Sequence, residues 1–282
     1  MNWLRTTAAK AALFITGEDF WRGIVAIVAF LIFWEVGSRS ASLFGIAFPW
    51  VSQVPAPSAV AVAMYYLIQD PSFWISGYLS TLRVFEGFFA AMIVGIPLGL
   101  AMAVSRTFYG ISFPVFEILR PIPPLAWVPA SIIFWPTQEL SIAFVTFLGA
   151  FFTIVINVIG GAQSIDVRYF QAARSMGSST WDIFRRIILP AVLPSIVVGA
   201  TVGVGITWAV VVAAEMISGG GSAGSVGGAA GGGLGFFIWN SYVGGSYTQI
   251  VAGMISIGIA GYVSSAVLRK VGSMMTPWLA EG

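Results

Sequence analysis

The sequence predicts an all-α membrane protein with six transmembrane helices. Of its 282 residues, 58% are hydrophobic and only 9% are charged, which is more apolar surface than one water-soluble core can enclose. The apolar residues also form uncharged runs of about 20 residues, the length that an α-helix needs to cross the hydrocarbon layer. We therefore expect a single membrane domain over residues 1–282.

Six apolar runs are the candidate spans. In chain order they cover about Arg22–Ser40, Tyr78–Val104, Phe116–Trp135, Leu140–Gly160, Leu193–Ile217 and Gln249–Leu268. The third run contains four prolines, which lack the backbone donor, so we expect its helix to be broken or kinked near its start and shielded from lipid. Before the second run, residues 57–69 predict a short helix that begins at a Ser58 cap, either amphipathic at the external interface or simply packed on the bundle.

Positively charged residues predict the orientation, because lysine and arginine near span ends stay on the cytoplasmic side. With the N-terminus inside, most of the 13 lysines and arginines fall inside. Both termini are then cytoplasmic, and residues 1–21 form a cytoplasmic N-terminal segment. Residues 218–235, which are rich in glycine, form an external loop between the fifth and sixth spans.

A polar and basic segment, residues 163–190, separates the fourth and fifth spans on the cytoplasmic side. Asp166 is suited to cap a first helix, and Gly177 is suited to end it in a left-handed conformation. Ser179 and Asp182 have the capping-box spacing for a second helix through Ile188, which Pro190 is placed to end or kink. The segment therefore predicts a helix-turn-helix.

Apolar side chains in this segment predict a partner surface, because nothing in the loop itself would bury them. They are Phe170, Met176, Trp181, Phe184 and Ile187. The neighbouring arginines have two open interpretations, which are contact with acidic groups of a partner protein or with lipid headgroups. These arginines are Arg168, Arg174, Arg185 and Arg186.

The run Gln171-Ala172-Ala173-Arg174-Ser175-Met176-Gly177, followed by Ile187-Ile188-Leu189-Pro190, resembles the "EAA" loop of permease subunits of binding-protein-dependent ATP-binding cassette (ABC) importers. Gln171 stands where that loop usually has glutamate. Five further segments, spread over nearly the whole chain, are Pro55-Ala56-Pro57-Ser58, Thr81-Leu82-Arg83-Val84, Gly95-Ile96-Pro97-Leu98-Gly99, Leu119-Arg120-Pro121-Ile122-Pro123-Pro124-Leu125-Ala126-Trp127 and Ala213-Ala214-Glu215-Met216-Ile217. Together they resemble the permeases of the nitrate, bicarbonate, sulfonate and taurine importers.

The resemblance implies a type I importer permease in a bacterial inner membrane, which forms the path for a small anion. Its partners would be two ATP-binding subunits, a second identical or related permease, an external binding protein and membrane lipid. ATP and magnesium would belong to the ATP-binding subunits, so we expect no cofactor and no enzyme activity on this chain. Contact with those subunits would involve Gln171, Ala172, Ala173, Arg174, Gly177, Arg185, Ile187, Leu189 and Pro190.

Charged residues inside spans are costly and need an explanation. Arg83 with Glu86, and Glu117 with Arg120, have the i,i+3 spacing of pairs on one helix face. Alternatively, Arg83 or Arg120 faces the translocation path and binds an oxyanion transiently through its guanidinium fork. Glu215 is either part of a gate or a carboxylate at the aqueous interface. Arg83, Glu86, Arg120 and Glu215 are thus the candidates for a path or gate.

Other classes of function fit less well. The chain has no histidine and no cysteine, which argues against metal or thiol catalysis, and its net charge of +2 does not indicate nucleic-acid binding. A secondary transporter driven by an ion gradient stays open as the alternative, because broken helices are typical of that class too. Gly95 and Gly99 form a G-x-x-x-G pair, for which packing inside the bundle is preferred over dimerisation.

Overall fold

The computed structural model describes residues 18–45, 53–218 and 232–279, and all regular structure in these ranges is helical. The chain divides into two compact units, Met1–Gln69 with Gly245–Ala252 and Asp70–Gly244 with Gly253–Gly282. The helices are α1 Glu18–Ser38, α2 Ser40–Phe44, α3 Pro57–Gln69, α4 Pro71–Val104, α5 Arg106–Leu119, α6 Val128–Phe134, α7 Gln138–Gln163, α8 Val167–Ser175, α9 Thr180–Ile183, α10 Leu189–Ser218, α11 Gly233–Val243 and α12 Tyr247–Met275.

Within the described ranges, five helices are long and apolar enough to cross a membrane. They cover Trp21–Ser38, Pro71–Val104, Gln138–Gln163, Thr180–Ile217 and Tyr247–Met275. These correspond to the first, second, fourth, fifth and sixth predicted spans, so the all-helical membrane fold is confirmed.

The third predicted span is broken, as its prolines indicated. It consists of α5, a 3-10 turn Pro124–Trp127 and the short helix α6. The predicted start at Phe116 was wrong, because Ser105 caps α5 and its hydroxyl accepts the Phe108 N–H at 3.2 Å. Phe116 instead lies near the end of α5 and packs against Phe152 of α7.

In the first unit, α3 has the predicted range, but its N-terminus is held differently from the prediction. Ser58 does not cap the helix with its own side chain. The Glu35 carboxylate of α1 accepts the Ser58 N–H at 3.0 Å and the Ser58 hydroxyl at 2.8 Å, and Arg39 pairs with Glu35 at 2.7 Å. A negative charge at a helix N-terminus is favourable, so Glu35 provides the cap from a neighbouring helix.

In the second unit, α7 packs against both α4 and α10, and their buried valines, isoleucines and Phe88 form the core. Gly95 and Gly99 of α4 face α7 of the same chain. A Cβ placed on Gly99 would lie 2.8 Å from the Cβ of Val158, so the absence of a side chain permits this close approach. The G-x-x-x-G pair therefore serves packing within the chain.

Helix α4 begins seven residues earlier than the predicted span at Tyr78. Asp70 caps it by accepting the Ser72 N–H at 2.9 Å, and Pro71 occupies the first helical position, where no backbone donor is needed. Arg83 is consequently about 18 Å from the start of the helix at 1.5 Å per residue, farther along it than the predicted start at Tyr78 implied.

Two predicted segments fall partly outside the described residues. Residues 1–17 of the N-terminal segment and residues 219–231 of the glycine-rich loop are not described. The end of the predicted loop is structured, since Gly233, Leu234 and Gly235 are buried and open the helix α11. Helix α11 was not predicted from the sequence.

Candidate functional site

The two predicted helices of the segment 163–190 are present. Asp166 caps α8 by accepting the Arg168 N–H at 2.9 Å. Hydrogen bonds from the Arg168 side chain and backbone lower the pKa of the Asp166 carboxyl. At the other end Gly177 has φ of 77°, and the Ser178 N–H donates to Ala173 O at 3.0 Å. This is the left-handed helix end that favours glycine.

The second helix also begins as predicted, but it does not end there. Ser179 and Asp182 form the reciprocal capping box, in which each side chain accepts the backbone N–H of the other residue. Of the two outcomes predicted for Pro190, a helix end or a kink, the end was wrong, because the helix continues through Pro190 into α10. One π-helical turn, Phe184–Ile188, joins α9 to α10, and the widened turn accommodates the missing donor of Pro190 within a continuous helix.

Part of the predicted partner surface is strongly exposed. Met176 is 79% exposed and Trp181 is 66% exposed, whereas Phe170, Phe184 and Ile187 are half-buried. Among the loop positions assigned to partner contact, Gln171, Ala172, Arg174, Gly177, Arg185 and Leu189 are exposed, Ile187 and Pro190 are half-buried and Ala173 is buried. The two short helices thus present a mixed apolar and basic face.

The start of α9 and the end of α4 border the same surface groove. Thr180, Trp181 and Phe184 line an open apolar groove of about 580 Å³ together with Pro97, Leu100, Ala101 and Val104 of α4. The Trp181 and Phe184 rings stack with centroids 5.5 Å apart. The short helix therefore borders a groove shared with a long membrane helix and is continuous with α10.

A second group of polar residues lies in the core near the other end of α4 and α10. Arg83 of α4 is 3% exposed and Glu215 of α10 is completely buried, and Arg83 Nη1 donates to Glu215 Oε1 at 2.8 Å. On its other edge, Arg83 Nε and Nη2 donate to the two carboxylate oxygens of Glu139 of α7, at 2.8 and 2.6 Å. One guanidinium thus joins three helices, and we call Arg83, Glu139, Glu215 and Ser80 the charge cluster.

The charge cluster also holds the start of α11. Arg83 Nη1 donates to Gly232 O at 3.2 Å, the Leu234 N–H donates to Ser80 Oγ at 2.8 Å, and the Gly235 N–H donates to Glu215 Oε2 at 2.9 Å. Ser80 in turn donates to the Glu215 carboxylate at 2.8 Å. Gly233 has φ of 80°, and a side chain on it would collide with Glu215. The glycines therefore allow this backbone to approach a buried carboxylate.

These contacts revise the sequence interpretation of the intramembrane charges. The predicted Arg83–Glu86 pair was wrong, because Arg83 points to Glu139 and Glu215, while Glu86 is exposed. The interpretation of Glu215 as a carboxylate at the aqueous interface was also wrong. The Glu117–Arg120 pair is present at 3.9 Å between two half-exposed side chains.

Sequence reasoning missed Glu139, Ser80 and the backbone of Gly232–Gly235. From the sequence, Glu139 could be recognised only as an acidic residue in the first turn of a helix that Thr137 caps, where a negative charge is favourable. Its partner is 56 residues away in the chain, so no helical spacing rule connects the two.

The fold and the polar residues together define a multi-pass membrane protein with a broken third span and an exposed helical loop. The sequence profile of a family described as "Binding-protein-dependent transport system inner membrane component" matches residues 95–279. The chain belongs to this family of ABC importer permeases, which confirms the resemblance seen in the sequence.

Individual relatives agree with this assignment. The chain is 33% identical over 273 residues to the nitrate import permease protein NrtB of Synechocystis sp., covering 94% of this chain and 92% of NrtB. It is 32% identical over 212 residues to the taurine transport system permease protein TauC of Escherichia coli, covering 75% of this chain and 73% of TauC. A solved inward-facing structure of the MetNI methionine ABC transporter covers 73% of this chain and 99% of its own matched chain, with a TM-score of 0.61 and 21% identity. That structure supports the type I permease fold.

Proposed function

We propose that the chain is the membrane subunit of an ATP-driven importer and forms the translocation path for a small anion, of the nitrate, bicarbonate, sulfonate or taurine kind, that a binding protein delivers. The observation that carries the proposal is the family match over residues 95–279, which includes the whole exposed helical loop. A broken third span is also typical of secondary transporters, but the family match favours the importer.

The loop 163–190 couples the membrane subunit to a pair of ATP-binding subunits. Its exposed Met176 and Trp181 supply apolar contact area, and the exposed Arg174 and Arg185 supply positive charge. ATP and magnesium bind to the partner subunits, and this chain is not itself an enzyme. Gln171 lacks the charge for a salt bridge, so its contribution is a hydrogen bond.

Deletion of residues 174–180 tests the coupling, and we expect the ATP-binding subunits to be lost on co-purification. A finer test is Met176→Glu, which places a charge on the proposed contact surface and should reduce recovery of the complex about tenfold or more, since buried unpaired charge is costly. The matched control is Met274→Glu on α12, where the methionine is 68% exposed. Normal recovery after the deletion, or equal losses for the two glutamate variants, would contradict docking through this loop.

The chain resides in a bacterial inner membrane with both termini in the cytoplasm and the glycine-rich loop before α11 outside, and two permease chains, identical or related, form the path. The distribution of positive charge supports this orientation. A cytoplasmic reporter fused to the C-terminus should be active, and a periplasmic reporter at the same position should be inactive. The opposite pattern would reverse the assigned orientation.

Among the candidates for the path or gate, the structure supports different roles. Arg120 is 45% exposed and its contact with Glu117 is long, which leaves its guanidinium accessible to a passing anion. Glu215 and Arg83 anchor the helices around the path, and Glu86 is exposed on α4. We expect Arg120→Gln to reduce ATP-dependent anion uptake while the complex still assembles. Unchanged uptake would remove Arg120 from the path.

A further inference from the structure

The Arg83 guanidinium has two edges with very different surroundings. The Nη1 end is committed to Glu215 and to Gly232 O, both of which are buried. The edge formed by Nε and Nη2 is filled by Glu139, whose side chain is 60% exposed. One partner of this buried arginine is therefore part of the core, whereas the other reaches it from the surface.

We propose that the Nε and Nη2 edge of Arg83 is an exchangeable oxyanion site, in which the Glu139 carboxylate occupies the fork until a substrate oxyanion replaces it. This inference rests on the proposed function for the class of ligand. It adds a specific site and a competing side chain, neither of which follows from family membership.

The geometry of the Glu139 contact defines the ligand class. Both carboxylate oxygens are engaged side by side, at 2.8 Å from Nε and 2.6 Å from Nη2. This bidentate arrangement suits any group that carries two oxygens on one central atom, such as nitrate, bicarbonate or a sulfonate. A spherical anion such as chloride has no pair of oxygens to match the two parallel N–H groups, so it fits this edge less well.

Charge favours exchange over simple addition. The cluster contains one guanidinium and the two carboxylates Glu139 and Glu215, so an additional anion would meet a net charge of −1. If Glu139 swings out as the anion enters, the net charge stays at −1 and the buried guanidinium edge keeps its hydrogen bonds. The Nε–H and Nη2–H groups of Arg83 are hydrogen-bonded both before and after the exchange, so no buried donor is left unsatisfied.

Glu139 can leave at low cost. Its side chain is largely exposed, and it lies in the first turn of α7, where the helix N-terminus favours a negative charge. Release needs only rotation about side-chain bonds, whereas Glu215 is fully enclosed and also bound by Ser80 and the Gly235 N–H. Glu139 is therefore the replaceable partner and Glu215 the fixed one.

The test uses Glu139→Gln in the assembled complex, purified in lipid nanodiscs without binding protein or ATP. A side chain that fills the fork about 90% of the time weakens the apparent affinity of a competitor about tenfold. We expect the nitrate concentration that gives half-maximal thermal stabilisation to fall at least about tenfold in Glu139→Gln, with chloride at equal ionic strength producing no such change.

Two further variants assign the effect to the fork. Glu117→Gln removes an exposed carboxylate that faces an arginine at 3.9 Å, and it should leave the response to nitrate unchanged. Adding Arg83→Lys to Glu139→Gln keeps the positive charge but removes the fork, and it should abolish the gain. No gain in Glu139→Gln, an equal gain in Glu117→Gln, or a gain that survives Arg83→Lys would each overturn the inference.

This binding measurement is separate from the test of the proposed function. ATP-dependent uptake by the unmodified complex with its binding protein tests the importer. If uptake is absent but Glu139→Gln gains nitrate binding, the proposed function fails and the site stands. If uptake is present and the gain is absent, the importer stands and the exchangeable site is wrong.

Discussion

Replacing Arg83 with methionine is expected to destabilise the subunit more than any other single change in the charge cluster. Without Arg83, Glu215 stays completely buried and keeps only the hydrogen bonds from Ser80 and the Gly235 N–H. Removing one partner of a buried ion pair typically costs about 3–5 kcal/mol, because an uncompensated charge stays inside. Glu139 adds little to this cost, since its exposed side chain can turn into water.

Two further variants separate the stability contribution of the buried Arg83–Glu215 pair from that of the rest of the charge cluster. Glu139→Gln keeps an oxygen that can accept from Arg83 and removes only the charge of a side chain that is 60% exposed, so we expect a loss of about 1 kcal/mol or less. In the double variant Arg83→Met with Glu215→Met, neither member of the buried pair is left as an unpaired charge. The Gly235 N–H then lacks its acceptor, which costs about 1–3 kcal/mol. The double variant should consequently be more stable than the single variant Arg83→Met.

Thermal unfolding of the purified complex in one lipid and detergent composition is the assay. For a chain of this size, 1 kcal/mol corresponds to about 2–4 °C in the midpoint, so Arg83→Met should lower it by at least about 6 °C. Glu139→Gln should lower it by no more than about 4 °C on the same scale. Equal losses for these two variants, or a double variant less stable than Arg83→Met, would refute the assignment of Arg83 and Glu215 as the fixed pair.

Backbone geometry yields two more predictions, each with a matched glycine. Gly177→Ala should lower the unfolding midpoint, because φ of 77° costs a residue with a Cβ about 1–2 kcal/mol. The control is Gly160→Ala, which lies in a helix, is equally free of neighbouring atoms and should not lower the midpoint. Equal effects of the two substitutions would contradict a purely conformational cause. Gly99→Ala should destabilise the subunit by about 1–3 kcal/mol, because the added methyl group overpacks against Val158. Gly95→Ala is the control and should be tolerated, because the nearest atoms to its Cβ would be 3.4 Å away. The reverse order of the two variants in thermal unfolding would show that α4 and α7 do not pack as described.

Local signals in the sequence predicted local structure well. Caps such as Asp166 and the Ser179–Asp182 box depend on residues two or three positions apart, and Gly177 depends on its own φ. Five of the six predicted apolar runs coincide with spanning-length helices in the described residues, because length and hydropathy decide whether a helix can cross a bilayer. Structural features that depend on residues close together in the chain can therefore be predicted from the sequence alone.

The charge cluster was not predictable in this way. Spacing of three residues suggested a pair between Arg83 and Glu86, but that rule considers one helix in isolation. Inside a bundle, a buried arginine is paired by whichever carboxylates the packing brings near, and here they lie 56 and 132 residues away in the chain. Helix α11 was missed for a related reason, because glycine is unfavourable within helices and Gly233 and Gly235 are retained by their contact with Glu215.

The exposed loop and the charge cluster are connected by two continuous helices of the same compact unit. Helix α10 follows α9 through one π turn without a break, so about 46 Å of helix separates Phe184 from Glu215 at 1.5 Å per residue. Helix α4 borders the same groove as Trp181 near Val104 and carries Arg83 about 32 Å away. A displacement of α9 relative to α4 would therefore be applied to both members of the Arg83–Glu215 pair at once. Under the proposed coupling role of the loop, we expect the exposed Glu139 contact to open before the buried Arg83–Glu215 pair separates.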